Sequence, residues 1–256
     1  MIYVAKPRGK VPKEFLVAAR DEMKIVVPLF AKPGKKPPKY QFKAYRNKYL
    51  KKILEDLFQK KCAYCEAAYN ITGSMEVEHY RPKSLYYWLA ADWSNLLPSC
   101  NHCNNGKRSK FPLQDPQKQA TKPGQEKREE ALLLNPSDPR PSRRPDRHLT
   151  FNPQDGSIQA IAQRGTPSPF GTASIAVYRL THSGLSAARR DWTTRLRWHI
   201  QNCQKAMNGS AADREFAYQG LSSFLGPEQP FKALTVQILR DTGFKLPRTS
   251  TRKRRH

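Results

Sequence analysis

The sequence has no long apolar run. Its longest apolar stretch, Ile25 to Ala31, is too short to cross a bilayer and is interrupted by Pro28. The first residues, Met1 to Lys6, also lack the apolar segment of a secretory signal peptide. We therefore expect a cytoplasmic protein that does not associate with membranes.

Acidic side chains are scarce. The chain of 256 residues has 21 Asp and Glu against 46 Lys and Arg, which gives a net charge of +25. A surface this basic attracts polyanions, so nucleic acid is the expected partner. The charge alone would also suit an anionic membrane surface, which we do not expect as the partner, or a ribosomal or scaffold role.

Cysteine is also scarce, but four of the five cysteines form two C-x-x-C pairs, Cys62/Cys65 and Cys100/Cys103. Two such pairs can supply the four thiolates of a closed structural zinc site. A redox pair or four buried free thiols are the alternatives. The fifth, Cys203, lies on an apolar helical stripe, where a small core residue is expected.

The segment between and just after these pairs carries groups suited to phosphodiester chemistry. His79 can take a proton from water, and the neighbouring Glu78 can hold a divalent cation, as can the amide oxygen of Asn104. Basic side chains nearby can hold phosphate. A zinc-binding module that grips nucleic acid without cutting it would need the cysteines and the charge, but not this base beside a carboxylate.

Residues 60–112 resemble the HNH (ββα-metal) nucleases. The resemblance rests on Glu78-His79-x-x-Pro82, on Asn95-Leu96, and on a final Cys100-x-x-Cys103-Asn104-x-x-Lys107. It implies an α+β fold, in which a small ββα-metal module with four-cysteine zinc knuckles is surrounded by mainly α-helical N- and C-terminal regions.

The resemblance also implies roles for individual residues. His79 is the expected general base, Glu78 and Asn104 the ligands of a catalytic Mg²⁺ or Mn²⁺, and Asn95 the residue that fixes the loop carrying His79. Two departures matter: Glu78 stands where many relatives have Asp, and Asn104 stands where many have His. Glu76 is an alternative ligand to Glu78.

Four basic residues of the same segment are expected to contact nucleic acid; the alternative for each is a solvated position. They are Arg81, Lys83, Lys107 and Arg108. His102, inside the second knuckle, is expected to be exposed or to support the metal site.

The chain divides into five regions by composition. Residues 1–60 form a basic N-terminal region with one long amphipathic helix, 61–112 the HNH module, and 113–165 a connector with a β-hairpin. Residues 166–245 form a helical region expected to dock a partner, and 246–256 a disordered basic tail.

Apolar periodicity predicts five helices. The pattern places them over residues 12–24, 41–59, 183–207, 211–225 and 230–241.

Short matches outside the HNH module resemble the HNH proteins of Septu anti-phage systems, which also accompany some retrons. They are Lys61–Glu66, Val77–Lys83, Leu132–Pro136, His148–Phe151 and Val177–Leu180. This resemblance implies a nuclease effector that works with an ABC/SMC-like ATPase, with a retron reverse transcriptase and its DNA as further candidate partners. We expect a metal-dependent endonuclease acting on DNA; the alternatives are an HNH nuclease that cuts RNA or tRNA and a non-catalytic zinc-ribbon module.

Overall fold

The computed structural model describes residues 1–31, 39–69 and 73–244, so the tail at 246–256 lies outside the described residues. Within these ranges the fold is α+β, as predicted, with seven α-helices and three two-stranded antiparallel sheets. The helices are α1 (Lys13–Phe30), α2 (Lys48–Leu57), α3 (Asn101–Lys107), α4 (Pro169–Val177), α5 (Ser183–Ala206), α6 (Ala211–Ser222) and α7 (Lys232–Asp241). The strands are β1 (Glu76–His79), β2 (Leu96–Ser99), β3 (Leu149–Phe151), β4 (Ile158–Ala160), β5 (Ala162–Gln163) and β6 (Thr166–Pro167). Short 3₁₀ turns lie at Arg8–Lys10, Ala44–Arg46, Tyr87–Leu89, Trp93–Asn95, Pro116–Lys118, Gln125–Arg128, Pro141–Arg143 and Pro145–Arg147.

The HNH module has the predicted ββα order. Strand β1 pairs with β2 in a register that sets Glu76 opposite Ser99 and His79 opposite Leu96. Helix α3 begins at Asn101, and Cys100, in extended conformation, is the single residue between β2 and this helix. The second C-x-x-C pair therefore joins the sheet to the helix.

The predicted long helix over 41–59 is wrong in its first half. Residues Ala44–Arg46 form a 3₁₀ turn, and α2 begins only at Lys48. The side-chain oxygen of Asn47 accepts hydrogen bonds from the amides of Tyr49 (2.9 Å) and Leu50 (3.2 Å), so Asn47 caps a new helix. The apolar period of three and four residues did not reveal this cap.

The other N-terminal helix is longer than predicted. Helix α1 continues beyond residue 24 to Phe30 with Pro28 in its last turn. The buried face formed by Phe15 and Ala19 extends to Val26, so burial supports the additional turns.

In the C-terminal region, α5, α6 and α7 correspond to the three predicted helices, but α4 was not predicted. Its sequence, PFGTASIAV, is apolar or small throughout, so it shows no polar face for periodicity to detect. The predicted hairpin is formed by β3 and β4, and Gly156 in its turn has a φ of +68°.

The core joins the HNH module to its flanks. One buried cluster contains all four cysteines of the C-x-x-C pairs together with Trp192, Leu196 and Ile200 of α5. A second cluster packs Phe15 of α1 and Leu54 of α2 against the β1–β2 sheet. The sheet is therefore held between the two helical regions. Among the described helices, none has the length and apolar character that crossing a membrane requires.

Candidate active site

Four cysteine side chains of the HNH module form one cluster. The Sγ atoms of Cys62, Cys65, Cys100 and Cys103 all lie within 4.8 Å of one another, and each residue is buried. The Cys65 and Cys100 sulfurs are 3.8 Å apart. Four ligands at a Zn–S length of about 2.3 Å in a tetrahedron have sulfurs separated by about 3.8 Å. The donor set and its spacing therefore fit a structural zinc ion.

His79 ends strand β1 with its ring almost fully buried, 4 % exposed. Its Nε2 lies 2.9 Å from the carbonyl oxygen of Ala90, which can only accept a hydrogen bond, so Nε2 carries the proton. The lone pair of the neutral ring is then on Nδ1. Tyr45 supports the ring edge-on, with centroids 4.7 Å apart.

Burial, assisted by the positive charge of Lys83, lowers the pKa of His79 to about 3. The imidazole is therefore neutral at physiological pH. A neutral ring with a fixed tautomer is the form that a general base requires.

Glu78 is buried beside His79 and forms an ion pair with Lys107. The Lys107 ammonium lies 2.6 Å from Glu78 Oε1 and also donates a hydrogen bond of 2.7 Å to the carbonyl oxygen of His79. Burial raises the pKa of Glu78, opposed by Lys107, and burial lowers the pKa of Lys107, opposed by Glu78. Lys107 therefore holds both the carboxylate and the backbone of the adjacent histidine.

Asn104 on helix α3 is oriented by Glu76 of strand β1. The Asn104 Nδ2 donates to the Glu76 carboxylate, which also accepts a hydrogen bond of 3.2 Å from Asn101. Within the described part of the chain, no hydrogen bond engages the Asn104 Oδ1. The Asn104 amide oxygen is therefore available as a ligand for a cation, and Glu76 holds the Asn104 side chain in place.

Asn95 joins the turn after β1 to the segment that precedes β2. Its Oδ1 accepts from the Arg81 amide at 2.7 Å, and its Nδ2 donates to the carbonyl oxygens of Arg81 and Leu89, both at 3.0 Å. Leu89 directly precedes Ala90, whose carbonyl oxygen binds the His79 ring. Asn95 thus fixes the two segments that orient His79, although it does not line the cavity described next.

Glu78, His79 and Asn104 line one cavity of about 430 Å³, which we call the catalytic cavity. Lys83 and Arg108 line it too, and Arg108 is exposed. The structure therefore brings together the predicted base, both predicted cation ligands and two of the four predicted nucleic-acid contacts.

The other two predicted contacts do not fit that role. Lys107 is 0 % exposed and its ammonium is fully engaged within the protein, so it cannot reach a phosphate in this conformation. Arg81 pairs with the buried carboxylate of Glu129 at 3.0 Å and donates to the carbonyl oxygen of Glu126 at 3.2 Å. Arg81 thus attaches residues 113–147 to the HNH module.

Sequence reasoning missed the contribution of the N-terminal region to the catalytic cavity. Phe30, Lys39, Tyr40 and Phe42 line it, although they lie in the N-terminal region before the HNH module begins at residue 61. The sequence carried no usable signal for this, because a basic, aromatic segment is equally typical of a solvated loop or a core edge. His102, by contrast, is exposed as expected and stacks on His182 with centroids 4.6 Å apart.

Comparison with known proteins agrees with this geometry. Residues 62–110 match the family model described as HNH endonuclease. Over 168 residues the chain is 38% identical to the Septu protein PtuB of Bacillus mycoides (strain KBAB4). This alignment covers 60% of this chain and 54% of that protein. Over 60 residues it is 45% identical to the Septu protein PtuB of Bacillus thuringiensis, covering 23% of each chain.

The chain therefore contains an HNH endonuclease domain, and both predicted resemblances are confirmed. It spans about half the length of the Bacillus mycoides relative and a smaller share of the other.

Proposed function

We propose that this chain is a metal-dependent HNH endonuclease that hydrolyses phosphodiester bonds of DNA as the nuclease effector of an anti-phage defence complex. One observation carries the proposal: Glu78, His79 and Asn104 line a single cavity beside the four-cysteine cluster. A module that only bound nucleic acid would have no use for a neutral, tautomer-fixed histidine next to a carboxylate.

His79 is the general base in this proposal. With Nε2 held by the Ala90 carbonyl, Nδ1 accepts the proton of the attacking water. Asn95 keeps this geometry by tying together the segments on either side of the ring.

Glu78 and Asn104 are the proposed ligands of the catalytic cation, which is Mg²⁺ or Mn²⁺. Carboxylate and amide oxygens are the donors that these hard cations prefer. When bound, the ion would polarise the scissile phosphate and stabilise the leaving oxygen. The ion pair with Lys107 fixes the Glu78 carboxylate, and the hydrogen bond to Glu76 fixes the Asn104 side chain.

Lys83 and Arg108 are the proposed phosphate contacts. Both line the catalytic cavity, whereas Lys107 and Arg81 are occupied elsewhere. Lys39 joins them from the N-terminal region and is exposed. Contacts of this kind hold the backbone without reading sequence.

The proposed partner is an ABC/SMC-like ATPase of the same defence system, docked on the C-terminal helices, with a retron reverse transcriptase and its DNA as further candidates. The support is the similarity to the Septu proteins PtuB and an exposed apolar groove between α5 and α6. Trp198 and Phe216 line this groove and are 57% and 80% exposed.

The test is incubation of purified protein with labelled DNA and, separately, RNA in Mg²⁺ or Mn²⁺, with and without the ATPase. We expect cleavage of DNA that requires the divalent cation. Cleavage of RNA but not of DNA would contradict the proposed DNA substrate and support an HNH nuclease that cuts RNA or tRNA. Binding to nucleic acid without cleavage under any of these conditions would leave the non-catalytic zinc-ribbon module as the function.

A further inference from the structure

The catalytic cavity is lined by aromatic residues as well as by polar ones, and we call these aromatic residues the aromatic wall. Phe30, at the end of α1, and Tyr40 line it, backed by the buried Phe42. The Tyr40 and Phe42 rings meet edge-to-face at 5.1 Å, and Phe30 stacks on Tyr87 at 4.9 Å. Aromatic side chains from outside the HNH module thus share one cavity with the predicted catalytic groups.

This wall is held in place by contacts within the N-terminal region. The Tyr40 hydroxyl donates to the buried Glu22 of α1 at 3.5 Å, and the same carboxylate accepts from the Ala44 amide at 3.1 Å. Glu22 therefore anchors the segment that carries Tyr40 to the helix that carries Phe30.

Phe30 and Tyr40 are only half-buried, whereas Phe42 behind them is 6% exposed. Each of the two rings therefore keeps part of its surface accessible to a ligand. Lys39, Lys83 and Arg108 line the same cavity, so the aromatic side chains and the proposed phosphate-binding cations share one space of about 430 Å³. This combination of cations with aromatic faces is typical of sites for single-stranded nucleic acid.

We propose that Phe30 and Tyr40 form a stacking subsite for one unpaired nucleobase next to the scissile phosphate. The enzyme would then cut single-stranded or locally unpaired nucleic acid in preference to continuous duplex, because a base stacked and paired in a duplex cannot offer its face to a side chain. Stacking tolerates any base, so the subsite selects strand state and not sequence. This inference rests on the proposed endonuclease function.

The test measures binding without cleavage. The substrates are short single-stranded and duplex oligonucleotides, in DNA and RNA versions. Each carries one 2-aminopurine, and its position differs from one oligonucleotide to the next. The protein is titrated against them in Mg²⁺-free buffer. We expect 2-aminopurine fluorescence to fall on binding at one position of the single strand. The double substitution Phe30→Leu/Tyr40→Leu should weaken single-strand binding about ten-fold and duplex binding less than about two-fold.

Two controls separate stacking from folding. Tyr49→Leu makes the same chemical change on an exposed ring of α2 that does not line the cavity, and it should leave both affinities unchanged. Tyr40→Phe keeps the ring face and should bind single strands as the wild type does. With the wild-type protein, an abasic residue at the quenched position should cost as much affinity as the double substitution, and the doubly substituted protein should not respond to it.

Equal losses on single strand and duplex, or no loss on single strand, would overturn the subsite. Addition of Mg²⁺ or Mn²⁺ then tests the endonuclease proposal separately from the nucleobase subsite. If the binding results hold and no nucleic acid is cut, the endonuclease proposal fails and the nucleobase subsite stands. If cleavage occurs with equal rates on single strand and duplex and without an effect of the double substitution, the subsite fails and the endonuclease stands.

Discussion

The ammonium of Lys107 lies 2.6 Å from the carboxylate of Glu78, and both side chains are buried. The lysine that sequence alone suggests as a phosphate contact is therefore a partner of the proposed cation ligand. Its second bond, to the His79 carbonyl oxygen, joins the end of α3 to the end of β1. Helix and strand thus hold the proposed general base and cation ligand in a fixed relation.

Replacing Lys107 with Met should destabilise the protein by about 3–5 kcal/mol, because Glu78 would remain buried without a partner. Added Mg²⁺ should recover part of this loss by supplying the missing positive charge, and it should stabilise the variant more than the wild type. Urea unfolding with and without Mg²⁺ measures both effects. The double substitution Lys107→Met/Glu78→Gln should be more stable than Lys107→Met in metal-free buffer and insensitive to Mg²⁺. If the single variant is as stable as the wild type, Lys107 does not support Glu78.

Replacing His79 with Ala should lower the cleavage rate by about 10²–10⁴. Nucleic-acid binding should be retained, because the proposed phosphate contacts are Lys83 and Arg108 and not the neutral His79. Single-turnover cleavage and filter binding measure the two properties. The matched control is His102→Ala, which removes an exposed imidazole that stacks on His182 and should cut normally. A His79→Ala protein that cuts at the wild-type rate would remove His79 from the mechanism.

Replacing Cys100 with Ser should abolish the binding of one zinc ion per chain and unfold the HNH module. Structural zinc contributes roughly 10–16 kcal/mol of apparent binding free energy in small metal-folded peptides, far more than one thiol contributes through packing. Elemental analysis and thermal melting test this. Cys203→Ser is the control, since this buried thiol lies outside the four-cysteine cluster and should leave the zinc content unchanged. A folded, reduced wild type without zinc would contradict the assignment.

Replacing Gly156 with Ala should destabilise the protein by about 1–3 kcal/mol through overpacking, in addition to backbone strain. The φ of Gly156 is +68°, and a Cβ there would lie 2.5 Å from Thr193 Oγ1 and 2.9 Å from the Arg189 carbonyl oxygen. Gly165 has a φ of +82° with nothing within 4 Å, so Gly165→Ala isolates the backbone strain. Equal melting temperatures for the two variants would show that the hairpin turn does not pack tightly on α5.

Replacing both Trp198 and Phe216 with Ala should abolish binding of the proposed ATPase without changing zinc content. Large exposed aromatics are the residues that most often carry binding energy at protein interfaces. Co-expression followed by gel filtration measures complex formation, and Val236→Ala on α7, which is also exposed, is the control. An intact complex with the doubly substituted protein would place the ATPase on another surface.

The spacing of the two C-x-x-C pairs was enough to predict the four-cysteine cluster, and the resemblance to the HNH nucleases predicted the ββα order of the module. These features are local: a C-x-x-C pair or a short hairpin brings its members together whatever the rest of the chain does. The three C-terminal helices were predicted for a similar reason, since each repeats apolar residues on one face.

Only the tertiary structure decided which basic residues remain free to meet nucleic acid. Arg81 forms an ion pair with Glu129, which lies 48 residues further along the chain, and Lys107 forms one with Glu78. Likewise, Phe30 and Tyr40 reach the catalytic cavity because α1 and Ala44 pack beside Val77 of β1. No periodicity or spacing links such distant residues, because their contacts depend on how separate elements pack, and packing is set by the whole core.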